Sequence, residues 1–285
     1  MPRRATAPPP PSSLEEEVGP AVAAFYRAVL RVLVDARIPF LVGGALAHAH
    51  HTGVRRPTKD LDLFIRKADG PRIAQLLQSH GWRTDLPYPH WLAKVHSGPA
   101  FIDLIFGTGN GLTPVDAAWF RRNRRTTVLG VPVRLVNVED SLLTKAFIME
   151  RERYDGGDIA HLLLAHAERF DWPGLLERFG PHWRVLLAHL SLFGFIYPGE
   201  RHRVPVWVLA ELAQRLAREG QAPSAERATV CDGTLLSRAQ YLHDVQQLGF
   251  RDGRLDGTGS MTAEDVAIWT AAIGKEAAPA AAPGT

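Results

Sequence analysis

Between Glu15 and Ala36, apolar residues fall at helical spacing, among them Val22, Phe25, Val29 and Leu33, and the pattern stops at Arg37-Ile38-Pro39, which predicts one leading helix. Phe40-Leu41-Val42 is a short apolar run closed by Gly43-Gly44 and followed by the alanine-rich stretch 45–51, so it reads as strand, tight turn, helix. Asp60-Leu61-Asp62-Leu63-Phe64-Ile65 then alternates acidic and apolar residues with the period of a strand, which places its acids on one face. Gly70-Pro71 precedes a helix over 72–80 built around Ile73, Leu76 and Leu77, and Gly81 ends it. Residues 91–95 and 101–106 read as two more strands. The second is almost wholly apolar and therefore central in a sheet, and its one charge is Asp103. Residues 126–136, with Gly130 and Pro132, predict a hairpin.

From Asp140 the pattern becomes helical, over 141–153, 159–169, 172–179, 183–195, 206–219 and 237–248. A last amphipathic piece, 262–273, has Thr262 as its cap and Asp265 at the capping-box position. Trp172, Trp183 and Trp207 fall among leucines and valines and are expected in the core. The Pro-rich start and the Ala/Pro-rich end bury too little apolar area to repay ordering. The expected organisation is a disordered leader (1–13), an α/β domain (14–138), a helical domain (139–275) and a flexible tail (276–285). The fold class is α/β (α+β): a mixed sheet flanked by helices, then a mostly α-helical domain.

A length of 285 residues suits about two domains, and a hydrophobic fraction of 46% with 22% charged residues excludes a mostly disordered or collagen-like chain. Cys231 stands alone, which excludes an internal disulfide framework and a multi-cysteine zinc site; a buried apolar thiol in a reducing cytoplasm is expected. The excess of 33 basic over 30 acidic residues is too small to argue for nucleic acid. The basic runs 121–125 and 55–59 could meet phosphates, although a solvated edge is the default for such runs. No apolar stretch is long enough to cross a bilayer, and the longest, 185–197, carries His189 and reads as a buried helix. The start lacks the apolar core of a secretory signal. A cytoplasmic protein without a membrane partner is expected.

The chemistry lies in the acids. An aspartate in an apolar strand is costly unless it is paired, hydrogen-bonded or metal-bound, and Asp60, Asp62 and Asp103 stand on two strands. If those strands adjoin, three like charges converge, and a divalent cation with oxygen ligands, Mg²⁺ or Mn²⁺, removes the repulsion. Gly43-Gly44, between strand and helix, allows backbone N–H groups to approach an anion. No Gly-Lys-Ser/Thr follows, and no third spaced glycine, so it is neither a P-loop nor a dinucleotide fingerprint. His48, His50 and His51 invite a zinc reading, His48 and His51 lying three apart on a helix, but no partner motif supports it and a polar helix surface or phosphate contact is the expectation.

The ordered set Val42-Gly43-Gly44, Asp60-Leu61-Asp62-Leu63 and Ile102-Asp103-Leu104 resembles the DNA polymerase β-like nucleotidyltransferase superfamily, and within it looks most like the AbiEii-type, minimal nucleotidyltransferase branch. The likeness covers residues 38–160 and extends to Ser141, Lys145 and Arg153-Tyr154-Asp155-Gly156-Gly157-Asp158-Ile159. It implies that Asp60, Asp62 and Asp103 hold metal, that Asp103 deprotonates or positions an acceptor hydroxyl, and that Gly43, Gly44 and Lys145 bind the NTP. Asp155 or Asp158 would order the site or cap the next helix. The implied reaction moves an NMP from the NTP to a hydroxyl of RNA, such as a tRNA 3′ end, of a partner protein as in toxin–antitoxin relatives, or of a small molecule, releasing pyrophosphate. The alternative is a non-catalytic nucleotide-binding or regulatory module of the same fold.

Overall fold

The computed structural model describes residues 14–58, 60–221 and 227–273; the expected leader, the expected tail and Lys59 lie outside the described residues. The leading helix is two: Gly19, with φ +83°, separates α1 (Leu14–Val18) from α2 (Pro20–Asp35). A left-handed backbone cannot continue a helix, and Pro20 restarts it at the position where a missing N–H costs nothing. Helix α2 buries Phe25, Tyr26, Val29, Leu30 and Leu33.

There follow β1 (Leu41–Val42), α3 (Gly44–Thr52), β2 (Leu61–Phe64), α4 (Gly70–Ser79), β3 (Arg83–Tyr88), β4 (Leu92–Ser97), β5 (Ala100–Ile105), β6 (Arg124–Val128) and β7 (Val131–Leu135). These strands form a mixed seven-stranded sheet in the order β3-β4-β5-β2-β1-β7-β6. The pairs β2–β5 and β1–β7 are parallel, the others antiparallel. Strand β5 is central, as its apolar run predicts. Strand β3 escapes the hydrophobic pattern because it is a polar edge strand, and Pro87 inside it is tolerated only at an edge.

The sheet's two faces differ. Leu61, Leu63, Ile102 and Leu104 point into a core closed by α2 and α4. The opposite face carries Leu41, Phe64, Leu92 and Ile105 beneath Val115 and Trp119, and by the two-residue alternation it also carries Asp62 and Asp103.

The second half contains α5 (Val138–Ala146), α6 (Gly156–His166), α7 (Trp172–Phe179), α8 (Trp183–Ile196), α9 (Val206–Gln221), the two-residue strands β8 (Val230–Cys231) and β9 (Arg251–Asp252), α10 (Leu242–Gln246) and α11 (Ala263–Ala271). Trp172, Leu176, Phe179, Trp183, Leu186 and Phe193 build its core. Helix α5 stops well short of Arg153: an isolated bridge between Met149 and Tyr154 folds 147–155 into a loop. Residues 237–248 are mostly turn, with a helix only over α10, stabilised by non-local contacts such as Ser237 on Glu150. Helix α8 buries one face and leaves Leu192, Phe195 and Ile196 outside, Phe195 by 83%, so it is amphipathic rather than buried throughout. Trp207 is 49% exposed and is not core, because α9 turns Val208, Leu212 and, in part, Leu209 inward instead. Cys231 is half-buried in β8 rather than a core thiol. Thr262 and Asp265 do form the reciprocal capping box. Helix α11 then reaches the first sheet, where Trp269 meets Tyr88 edge-on at 4.6 Å and Trp91 at 5.3 Å. No described helix is long and apolar enough to cross a membrane.

Candidate active site

Parallel pairing of β2 with β5 sets Asp62 opposite Asp103, and Asp60 precedes Asp62 on the same side. Carboxylate oxygens of Asp60, Asp62 and Asp103 lie within 4.8 Å of one another. The cost of that convergence registers at Asp62: burial, then the charges of Asp60 and Asp103, push its carboxyl up to about 7. Beneath the acids, the phenol of Tyr26, wholly buried on α2, is raised to about 12 by burial and by the same three charges. Asp60 is steadied by Thr58, whose hydroxyl donates to the Asp60 carbonyl at 2.9 Å and its carboxylate at 3.2 Å.

Lys94 of β4, the register partner of Asp103, donates to Asp103 Oδ1 at 2.6 Å. Burial raises the Asp103 carboxyl, and Lys94 partly offsets it. Sequence reasoning passed over this lysine. The signal was present: Lys94 and Asp103 lie nine positions apart and symmetrically about the Gly98-Pro99 turn, which makes them cross-strand neighbours.

The diglycine is required by space. A Cβ on Gly43 would lie 2.2 Å from the Phe64 ring, and one on Gly44, whose φ is +56°, would lie 1.6 Å from Asp62 Oδ2. The pair therefore lets the first turn of α3 close over Asp62, with Gly43 N–H donating to the Asp62 carbonyl at 3.0 Å. The positive end of α3 is thus set beside the acids.

On the other side stands a network of alternating charge. Lys145 of α5 reaches Asp155 at 3.2 Å and Asp158 at 2.8 Å. Arg153 grips Asp155 with two bonds of 3.0 Å, and Arg56 pairs with Asp158. Burial would raise Asp155, but Arg153 and Lys145 outweigh it and hold the carboxyl below its ordinary range. Lys145 and Arg153 also oppose the upward shift of Asp62, which places their charges near the acid trio. Asp155 precedes α6 without a capping bond from its side chain, and Asp158 lies inside the first turn with both oxygens engaged by cations; neither is a side-chain cap.

Of the three histidines on α3, His51 bonds the carbonyl of Val136 at 2.8 Å, and His48 turns inward and is 2% exposed, so they diverge and form no common site. The expectation of a polar helix surface is thereby corrected for His48: packing of α3 on α6 buries it beside Asp158.

All-oxygen donors at this spacing, with mutual repulsion that a cation would relieve, fit Mg²⁺ or Mn²⁺. Among proteins with curated descriptions none matches the chain. Solved structures similar to it include the lincosamide antibiotic adenylyltransferase LnuA, lincomycin-bound, at 17% identity and TM-score 0.36 over 49% of this chain and 94% of that one. JHP933 from Helicobacter pylori is similar at 12% identity and TM-score 0.37 over 75% of this chain and 100% of that one. The antibiotic-resistance factor ANT(2'')-Ia is similar at 17% identity and TM-score 0.35, covering 71% and 96%. The family described as "Uncharacterised nucleotidyltransferase" matches residues 21–184, a span that includes the diglycine, all three acids and the Lys145 network. Since that match takes in more than half of the chain, the protein belongs to this nucleotidyltransferase family.

Proposed function

We propose that the protein is a metal-dependent enzyme that transfers an NMP from an NTP to an acceptor hydroxyl and releases pyrophosphate, with Asp60, Asp62 and Asp103 as its catalytic residues. The observation that carries this reading is the convergence of the three carboxylates within 4.8 Å beside the Gly43-Gly44 turn. A structural role alone gives no reason to keep so costly a cluster, which argues against a non-catalytic nucleotide-binding module. On this reading residues 14–138 are the catalytic domain, and the helical residues 139–275 shape the acceptor site. The likeness to the AbiEii branch rests on the residue pattern.

Asp60, Asp62 and Asp103 would hold Mg²⁺ or Mn²⁺, which when bound neutralises triphosphate charge. The backbone at Gly43 and Gly44 and the ammonium of Lys145 would hold the phosphates in line. Asp103, with Oδ1 fixed by Lys94, takes the proton of the acceptor hydroxyl as its oxygen bonds to the α-phosphorus. The bond from that phosphorus to the bridging oxygen breaks, and pyrophosphate leaves with the electron pair. Positioning and charge neutralisation supply most of the acceleration. The acceptor class stands between RNA, a protein and a small hydroxylated molecule.

The test is incubation with each α-labelled NTP and Mg²⁺ in the presence of cellular RNA, protein and small-molecule fractions, following pyrophosphate and label. Label transfer that Asp62→Asn abolishes supports the reading. Nucleotide binding with no transfer to any fraction favours the module, and transfer undiminished in Asp62→Asn rejects the assignment.

A further inference from the structure

Helix α3 packs its inner face on α6, and the contact buries polar groups that the phosphoryl chemistry does not use. His48 is 2% exposed, and among the described residues neither of its ring nitrogens has a hydrogen-bond partner. His161, three residues after Asp158 and so on the same face of α6, has a buried Nδ1 equally without a partner. Leaving such groups unsatisfied is costly, and orphaned buried nitrogens are a standing sign of an ion or water that belongs there.

The spacing favours an ion. One ligand atom each from His48, Asp158 and His161 lies within 4.8 Å of the others. His48 Nε2 and Asp158 Oδ1 are 3.6 Å apart, too long for a hydrogen bond. Two ligands held at 2.0–2.1 Å on one tetrahedral ion stand about 3.4 Å apart. The two imidazole rings are 6.0 Å apart by centroid and tilted by 52°, not stacked.

We propose that His48, Asp158 and His161 form a second metal site, selective for Zn²⁺ or a similar borderline divalent ion, that clamps α3 to α6. Two nitrogens and one carboxylate distinguish it chemically from the all-oxygen acid trio, which suits hard cations. Lys145, on Asp158 Oδ2, fixes the carboxylate as an outer-shell partner does. Arg56 shares Oδ1 but is 48% exposed, so the guanidinium and the ion compete for that oxygen and Arg56 moves outward when the ion binds. Because α3 begins at Gly44 and Asp158 anchors Lys145, the clamp would tie together the two walls of the phosphate site.

The experiment uses full-length protein carrying Asp62→Asn, so that the acid trio does not compete, stripped of metal and titrated with Zn²⁺ and, for its visible absorption, Co²⁺. One equivalent bound per chain at micromolar concentration is expected, with a rise in melting temperature and the intense Co²⁺ bands of a four-coordinate site. His48→Gln/His161→Gln should lose the stoichiometric binding. Arg56→Ala should tighten it several-fold, an effect with no counterpart if Arg56 merely fills the site. Should the double variant fail to fold by circular dichroism, His161→Gln alone replaces it. Absence of stoichiometric binding below about 1 mM, or binding unchanged in the histidine variants, overturns the proposal.

Discussion

Replacing Asp62 by asparagine should make the magnesium-free protein more stable while destroying its activity. The carboxyl shifts from 3.8 to about 7 because burial and the neighbouring acids disfavour its charge. A folded-state value above the unfolded one means that the native protein binds the proton more tightly, so stability falls as the pH rises from about 4 to about 7 and levels off above. Three units at about 1.36 kcal/mol each give about 4 kcal/mol, and solvent entering the cleft reduces this to about 2–4 kcal/mol. Asparagine keeps the shape against Gly44 and the neutral charge state at every pH. Urea melts at pH 4, 6 and 8 without divalent ions should therefore give curves for wild type and Asp62→Asn that nearly coincide at pH 4 and separate progressively to pH 8. Added Mg²⁺ should stabilise wild type more than the variant. A variant no more stable than wild type at pH 8, or a difference constant across the series, would refute the argument that electrostatic repulsion is stored at this site.

Gly44→Ala must accept a left-handed φ of +56° and a methyl overlapping Asp62; thermal melts should show a loss of at least about 2 kcal/mol, and transfer should vanish. Lys94→Met removes the cation that holds Asp103 down, so the Asp103 carboxyl rises further, the basic form requires a higher pH, and the ascending limb of the kcat/KM profile should move upward in pH with a rate loss of about 10–100-fold at neutrality. Lys145→Met leaves Asp155 and Asp158 each with one arginine; unfolding should become easier by about 2 kcal/mol, and KM for the NTP should rise, measured by pyrophosphate release under saturating acceptor.

What could be read from the chain is what obeys local rules. The alternation in 60–65 put Asp60 and Asp62 on one face, the apolar run 101–106 made β5 central, and Thr262 with Asp265 announced a cap, because each depends on side-chain direction or on bonds within a few residues. The polar edge strand β3 and the loop that ends α5 carried no such signal; one is held by its neighbour β4 and the other by the Met149–Tyr154 bridge and residues from far along the chain. Asp60, Asp62 and Asp103 stood out as candidates from their apolar strands and Lys94 did not, but that Asp62 and Asp103 face each other followed only from the parallel pairing of β2 with β5, a register between strands some 40 residues apart. The diglycine likewise announced a turn, whereas the reason for it, room for Phe64 and for the Asp62 carboxylate, exists only once the sheet has formed. Arg56, His48, Lys145 and Asp158 become one cluster through the packing of α3, α5 and α6. Periodicity fixes which way a side chain points; which distant charge it meets is set by tertiary burial, where the penalty for an unpaired polar group is high enough to decide the arrangement.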